Sequence, residues 1–216
     1  MRSCKAFTLM LWLLSVPASA ASVLTVQVRA GDEPVSDAVI SLHQAHSVRA
    51  SGAQAVVDQI GSEFVPRVSA IQVGTSVAFP NSDATRHQVY SFSPAKRFSL
   101  PLYSGTPPAP LLFDQAGVVS LGCNIHDWMQ GFIVVLDTPY FAKSDVAGEA
   151  RIELPAGDYR LQLWHERLQG EFSQSLKLDA AASLRLDVAL RPPPPPRGSD
   201  RLRALQNKLR ERGTQD

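Results

Sequence analysis

The sequence predicts an all-β protein built from β-sandwiches. Apolar and polar residues alternate with a period of two in many short segments, which is typical of half-buried strands. Clusters of turn-forming residues separate these segments, as at Pro80–Asp83 and Pro155–Asp158. Helical periodicity appears only near the C-terminus. The roughly 170 residues between the two ends suffice for one large β domain or two small ones.

The first strand is the clearest, because Leu24, Val26 and Val28 face one way while the residues between them are polar. It ends before the turn residues 31–34. Further strands are predicted at Ala38–Leu42, Ile71–Phe79, Gln88–Phe92, Val118–Leu121, Phe132–Asp137, Ala150–Leu154, Tyr159–Trp164 and Ser183–Leu190.

Residues 1–20 have the pattern of a cleavable secretory signal. Arg2 and Lys5 precede the apolar stretch Ala6–Val16, and small residues precede Ala21. Cleavage would remove two of the 21 basic residues and none of the 20 acidic ones, so the net charge is near zero and nucleic acid is not an expected partner. No later segment is long enough to span a membrane. We therefore expect a periplasmic protein without a transmembrane segment.

The C-terminal region, residues 192–216, is predicted to be a linker and a charged tail. Pro192–Pro196 indicate a stiff polyproline spacer. Leu202, Leu205 and Leu209 follow at helical spacing among six basic residues counted from Arg197, which predicts a short helix. This helix could dock an acidic partner or a membrane surface, although a solvated tail explains the narrow leucine stripe as well.

The segment Cys123–Met129 carries three metal-ligand types within seven residues: Cys123, His126 and Met129. The other cysteine, Cys4, and the other methionines, Met1 and Met10, all lie in the predicted signal. An exported chain with a single cysteine is unusual, and ligation of a metal explains it. A thiolate, imidazoles and a weak thioether are the ligands of a copper ion that changes its oxidation state.

A second imidazole must come from another part of the chain. His87 is the strongest candidate, because it follows a predicted buried strand and a turn and leads directly into another strand. His43 and His46 flank a strand end where solvated histidines are expected, and His165 lies in the later β segment. These three histidines remain alternatives.

Two segments together resemble the halves of a type 1 copper site in the cupredoxin family, and in particular the plastocyanin-like methylamine utilization proteins. These segments are Val77–Val89, with the sequence VAFPNSDATRHQV, and Cys123–Val135, with CNIHDWMQGFIVV. The resemblance implies a cupredoxin-like Greek-key sandwich over residues 50–137. It further implies one type 1 copper ion held by His87, Cys123, His126 and Met129, and electron transfer in the periplasm.

The chain departs from the pattern of this family at two positions. Many small cupredoxins place the axial methionine two residues further along, where this chain has Gly131, so Met129 must reach the metal from a shorter loop. Many also carry Asn after the first histidine, where this chain has Gln88. Asn81, Gln88 and Asn124 are expected to support the ligands or the surface around them.

A second resemblance, to a carboxypeptidase-regulatory-like β-sandwich, covers the flanks of the copper segment. It rests on Val23–Leu42 and Ser144–His165. It implies a small sandwich split between residues 21–49 and 138–191, with the copper domain inserted in it. In the alternative arrangement, Val23–Leu42 is the opening hairpin of the copper domain.

These features predict an electron-transfer protein and not an enzyme. Four protein ligands would close the metal to substrate, and the sequence lacks a glycine-rich phosphate loop and a G-x-S-x-G elbow. Ile125 and Trp128 could form an apolar docking patch for a periplasmic redox protein, such as a c-type cytochrome or a dehydrogenase. A copper chaperone or storage protein, or a scaffold with a structural metal, would use the same residues.

Overall fold

The computed structural model describes residues 22–45, 52–105 and 109–193, and every regular element in them is a strand. The all-β prediction is therefore confirmed. The predicted signal, His46 and the predicted C-terminal helix lie outside the described residues. The strands are β1 (Ser22–Ala30), β2 (Glu33–Pro34), β3 (Val39–His43), β4 (Gln54–Val56), β5 (Asp58–Ile60), β6 (Glu63–Val65), β7 (Val68–Gln72), β8 (Thr75–Ala78), β9 (Tyr90–Ser91), β10 (Phe98–Ser99), β11 (Leu111–Phe113), β12 (Gly117–Cys123), β13 (His126–Leu136), β14 (Tyr140–Lys143), β15 (Glu149–Leu154), β16 (Gly157–Trp164), β17 (Phe172–Leu178) and β18 (Ala182–Asp187).

The two ends of the chain together form one sandwich, here called the flanking sandwich. One sheet has the order β15-β1-β18, with β2 paired to β1, and the other has the order β14-β3-β16-β17. Leu24, Val26 and Val28 of β1 point into the core between the sheets, as their alternation predicts, and pack with Leu42 and Leu161. The N-terminal strands thus pair with strands that follow the inserted segment.

The inserted segment forms a second sandwich, here called the central sandwich. Its larger sheet has the order β10-β9-β12-β13-β7, and a smaller sheet has the order β11-β8-β4, with the hairpin β5-β6 beside them. Phe64, Val77, Phe113, Val119 and Ile133 meet in its core. The paired strands β12 and β13 are the longest in this sandwich, and they carry the segment Cys123–Met129.

Two of the strand predictions need correction. The predicted strand Ile71–Phe79 is two strands, β7 and β8, which belong to different sheets. The chain turns at Gly74, whose φ of 92° favours glycine. The predicted strand Gln88–Phe92 is regular only at Tyr90–Ser91.

A small apolar cluster joins the two sandwiches. Val39 and Trp164 of the flanking sandwich pack against Val68, Phe132 and Val134 of the central one. Arg67 reinforces this contact, because its guanidinium lies 5.5 Å from the centre of the Phe132 ring and pairs with Glu166. In the part of the chain that the structure describes, there is no helix long and apolar enough to cross a membrane.

Candidate metal centre

Three potential ligand atoms converge at one end of the central sandwich. His87 Nδ1 lies 3.2 Å from His126 Nδ1, and Cys123 Sγ lies 4.0 Å from the former and 3.9 Å from the latter. His87 and Cys123 are 0% and 2% exposed, and His126 is half-buried. Within the described ranges, this is the only His, Cys, Asp and Glu group compact enough to hold a metal ion.

His87 is held in place by both its main chain and its ring. Its main-chain N–H donates to Tyr103 O at 2.9 Å, and its carbonyl accepts from Tyr103 N at 3.0 Å. The ring Nε2 lies 2.8 Å from Asp83 Oδ2. Because an ionised carboxylate only accepts hydrogen bonds, the neutral ring carries its proton on Nε2 and presents a lone pair on Nδ1.

The Asp83 carboxylate also binds the turn between β5 and β6. Gly61 N donates to its Oδ1 at 2.7 Å, and Ser62 N donates to its Oδ2 at 2.8 Å. Burial acts to raise the pKa of Asp83, but the hydrogen bonds from Ser62, Gly61 and His87 outweigh it and hold the pKa below its usual value. The sequence analysis did not assign Asp83 to His87. The available signal was its position four residues before that histidine, just after a turn.

Asn81 organises the loop that carries Asp83 and His87. Its amide donates to Thr85 O at 3.0 Å and Tyr103 O at 2.7 Å, while its Oδ1 accepts from Asp83 N at 3.0 Å. Its side chain is buried. The structure therefore places Asn81 as a support of the loop and away from the surface.

A buried polar network lies beneath this loop. Gln59 Nε2 donates to Pro80 O at 3.0 Å and to Tyr103 Oη at 2.6 Å, and Tyr103 Oη donates to Phe79 O. Burial raises the pKa of Tyr103 to about 12, although the hydrogen bond from Gln59 opposes this effect. The phenol therefore remains a hydrogen-bond donor at neutral pH. Neither Gln59 nor Tyr103 was singled out by the sequence analysis, because buried amides and phenols have no distinctive spacing.

Cys123 and His126 come together because a two-residue turn, Asn124–Ile125, joins β12 to β13. Cys123 pairs with His126, whereas Gly122 pairs with Gln130. The register therefore shifts, and residues 127–129 form a bulge in β13. Met129 was expected on a loop, but both His126 and Met129 lie within β13.

Met129 lies at the position that would oppose Cys123 if the pairing of Leu121 with Gly131 and of Gly122 with Gln130 continued. Its side chain is buried in the same core cluster as Cys123. Both residues also line a groove of about 450 Å³ on the outside of the sheet. Met129 thus shares a core cluster and a groove with Cys123.

Gly131 is a glycine for a packing reason. A Cβ atom at this position would lie 3.0 Å from Phe64 Cβ and 3.3 Å from Arg67 O. Phe64 is fully buried, so it cannot move aside freely. A side chain at position 131 would crowd Phe64 and the Arg67 carbonyl, and Met129 is the one methionine among the described residues.

The rim of the site is exposed and combines the apolar side chains Ile125 and Trp128 with the polar Asn124 and Asp127. Ile125 and Trp128 are 49% and 46% exposed, and the Trp128 ring lies 5.1 Å from the His126 ring. Asn124 is also exposed. Gln88 directs its amide to Ser99 Oγ at 3.0 Å, on the edge strand of the sheet.

Two of the alternative histidines, His43 and His165, lie in another part of the structure. His43 was expected to be solvated, but its side chain is largely buried and its Nδ1 pairs with Asp137 Oδ1 at 2.9 Å. This expectation was wrong because β3 packs His43 into the groove between the sandwiches. His165 lies in the same groove, and its Nδ1 accepts a hydrogen bond from Arg167 N at 3.2 Å.

The three converging atoms suit a metal ion bound by nitrogen and sulfur. A triangle with the observed sides has a circumradius of about 2.2 Å, which is within the ~2.0–2.3 Å typical of metal–nitrogen and metal–sulfur bonds. Two nitrogens that present lone pairs at 3.2 Å would repel each other. A shared proton or a bound cation relieves this repulsion, so the donor set is chemically suited to a soft or borderline metal.

No protein-family profile and no curated protein matches this chain. Among solved structures, a reduced mutant of amicyanin is similar at 20% identity, over 45% of this chain and 98% of that chain, with a TM-score of 0.36. A Cu-containing nitrite reductase from Thermus scotoductus SA-01 is similar at 25% identity, over 44% of this chain and 25% of that chain, with a TM-score of 0.37. A purple cupredoxin from Nitrosopumilus maritimus is similar at 25% identity, over 39% of this chain and 100% of that chain, with a TM-score of 0.34. These TM-scores are low, so the chemistry of the site rests on its own donor atoms.

Proposed function

We propose that this protein is a periplasmic electron-transfer protein with one type 1 copper ion. His87 Nδ1, Cys123 Sγ and His126 Nδ1 would hold the ion, and Met129 would supply a weak axial thioether. The observation that carries this proposal is the triangle of donor atoms with sides of 3.2, 3.9 and 4.0 Å. Its size and its mixed nitrogen and sulfur chemistry suit copper that alternates between Cu(I) and Cu(II).

The surroundings of the donors favour electron transfer over catalysis. A bound copper ion would accept and release single electrons. The chain would hold the ligands in one arrangement, because Asp83 fixes His87 and the paired strands β12 and β13 fix Cys123 and His126. Burial of His87 and Cys123 shields these two donors from water.

Electrons would enter and leave through the rim formed by Ile125, His126 and Trp128. His126 is the least buried of the three proposed planar ligands, and Trp128 packs beside it. An exposed apolar surface of this kind suits a transient contact with another redox protein. We propose that this partner is a periplasmic c-type cytochrome or dehydrogenase.

The copper proposal is tested by loading the mature protein with Cu(II) and recording its visible absorption and electron paramagnetic resonance spectra. We expect an intense colour from thiolate-to-copper charge transfer and reversible reduction. Cys123→Ser should abolish the colour, whereas His165→Gln, a change in the distant groove, should preserve it. A colourless wild-type protein would disprove the proposal. A protein that holds only Cu(I) and gives it up readily to a chelator would instead favour copper delivery or storage.

The docking surface is tested by the rate at which the reduced protein transfers an electron to a purified c-type cytochrome. Trp128→Asp should slow this transfer, because it places a charge on the apolar rim. Val146→Asp is the matched control, because Val146 is also exposed but lies in the flanking sandwich. Equal rates for the two variants would show that the rim is not the docking surface.

A further inference from the structure

We infer that Asp83 is a positioning residue that couples the turn between β5 and β6 to the ligand His87. Its carboxylate would determine which nitrogen of His87 faces the metal and would strengthen that nitrogen as a donor. For its copper readout, this inference rests on the proposed function. The underlying geometry is a property of the chain itself.

The carboxylate of Asp83 connects two separate parts of the central sandwich. Gly61 N and Ser62 N donate to it at 2.7 and 2.8 Å, and His87 Nε2 lies 2.8 Å from the oxygen that Ser62 also binds. Charge-assisted hydrogen bonds of this kind are among the strongest in proteins. The turn between β5 and β6 and the ligand His87 therefore both bind the Asp83 carboxylate.

The turn has a backbone conformation that requires support. Gly61 and Ser62 have φ angles of 63° and 59°, and a side chain is disfavoured in this left-handed region. Ser62 adopts it nonetheless, in a two-residue turn that directs both of its N–H groups at Asp83. Strain of this kind persists where the surrounding structure compensates for it, and such positions cluster at functional sites.

The hydrogen bond to Asp83 has a direct consequence for His87. With the proton on Nε2, the Nδ1 lone pair points to His126 Nδ1 and Cys123 Sγ. Without the carboxylate, the ring could instead carry its proton on Nδ1, which would block the donor atom. A carboxylate on the second nitrogen also makes the first nitrogen a stronger ligand.

Asp58 provides a matched control in the same part of the structure. Its carboxylate accepts from Gln59 N at 2.7 Å, and from Ser82 N and Ser82 Oγ at 3.2 and 2.7 Å. It therefore supports the same loop as Asp83 without bonding to His87. A purely structural role of Asp83 predicts similar effects of Asp58→Asn and Asp83→Asn, whereas a positioning role predicts different ones.

The first experiment records nitrogen-15 NMR spectra of the His87 ring in the full-length mature protein without metal. We expect the wild type and Asp58→Asn to carry the ring proton on Nε2, and Asp83→Asn to show a substantial fraction protonated on Nδ1. A wild-type ring protonated on Nδ1 would overturn the inference, as would an unchanged ring in Asp83→Asn. Because the wild-type measurement needs neither copper nor a variant, it tests the inference even if copper does not bind or Asp83→Asn does not fold.

The second experiment compares copper affinity and reduction potential. Loss of the hydrogen-bond partner of a ligand typically weakens metal binding about 10–100-fold, and we expect this for Asp83→Asn. The reduction potential should rise, because a negative charge that favours Cu(II) is removed. Asp58→Asn should change both quantities less than Asp83→Asn does, because it loosens the loop without removing the carboxylate from His87. Equal losses of copper affinity in the two variants would show that Asp83 has only a structural role. If the wild type did not bind copper, the proposed function would be wrong, but the inference about Asp83 would still be tested by the NMR experiment.

Discussion

His87 and His43 both pair with a carboxylate, yet only one of them lies in a candidate metal site. His87 Nε2 pairs with Asp83 at 2.8 Å, and His43 Nδ1 pairs with Asp137 at 2.9 Å. The difference lies in the other nitrogen. That of His87 faces a second imidazole and a thiol, whereas that of His43 lies 2.9 Å from the Ser41 hydroxyl. A histidine–carboxylate pair is therefore not by itself a sign of a metal site.

The cores of the two sandwiches also differ in whether they contain side chains that can bind a metal. The buried core of the flanking sandwich consists of aliphatic side chains and Tyr159. The core of the central sandwich includes Cys123 and Met129 next to buried His87 and Asn81. Ladders of backbone hydrogen bonds hold the long strands of the flanking sandwich. In the central sandwich, side-chain hydrogen bonds to the backbone hold the loops. Changes in the flanking sandwich should therefore affect stability, and changes in the central one should affect both stability and metal binding.

The largest expected effect is on copper affinity, which should fall when His87 is replaced but not when His43 is replaced. His87→Gln should weaken copper binding by more than the ~10–100-fold that loss of a supporting hydrogen bond costs, because it removes a ligand. His43→Gln should leave copper affinity unchanged. Both variants are measured by competition with a chelator. If His43→Gln weakened binding as much as His87→Gln, the distinction between the two pairs would be wrong.

A core substitution in β16, at Leu161, should lower stability without changing metal binding. Leu161 is fully buried and pairs with Leu42, so Leu161→Ala should lower the free energy of unfolding by about 2–5 kcal/mol. The visible spectrum of the copper-loaded folded protein should not change. Chemical denaturation measures the first quantity and absorption the second. An altered spectrum would show that the two sandwiches are coupled through their cores.

Asn81→Ala should affect both properties. It removes the hydrogen bonds to Thr85 O and Asp83 N and one of the two to Tyr103 O, and buried groups left unsatisfied cost about 1–3 kcal/mol. Because the same loop carries Asp83 and His87, copper affinity should fall as well. Denaturation and chelator competition measure the two effects. Unchanged copper affinity would mean that His87 keeps its position without this support.

Gly131→Ala should show how tightly the central sandwich packs near the site. The new Cβ would lie 3.0 Å from Phe64 Cβ, and overpacking of this kind costs about 1–3 kcal/mol. Phe64→Leu keeps the Cβ but removes the ring, whose Cδ2 atom would lie 3.1 Å from the new Cβ, so it should partly relieve the clash. The double variant should then be more stable than the sum of the single effects indicates. A denaturant titration of all four proteins measures this coupling. If the two single effects simply added, the strain would not lie between positions 64 and 131.

The smallest expected effect is the contribution of His43 to the pH dependence of the unfolding free energy. Burial lowers the pKa of His43 from 6.5, although Asp137 opposes this shift. The unfolded chain then binds more protons than the folded one below about pH 6.5, so stability is retained above this pH and falls as pH decreases through it. His43→Gln should flatten the dependence of the unfolding free energy on pH in metal-free protein. An equally steep dependence in the variant would assign the effect to other groups, including His165.

The sequence alone indicated the strand-rich character of the chain and the short-range part of the site. Alternation in β1 is a local property, because side chains on a strand point to opposite faces in turn. The spacing of Cys123, His126 and Met129 is local as well, since a two-residue turn brings Cys123 to His126 and the bulge that follows contains Met129. His87 could be ranked first among the histidines because a turn and a strand flank it.

Only the tertiary structure decided which distant groups meet. The convergence of His87 with Cys123 depends on the pairing of β9, which follows His87, with β12. The support of His87 depends on Asp83 reaching a turn more than twenty residues earlier in the chain. The pairing of β1 with β15 and β18 likewise joins segments that an entire sandwich separates. Such contacts depend on packing and hydrogen bonding between remote segments, and local residue patterns do not encode them.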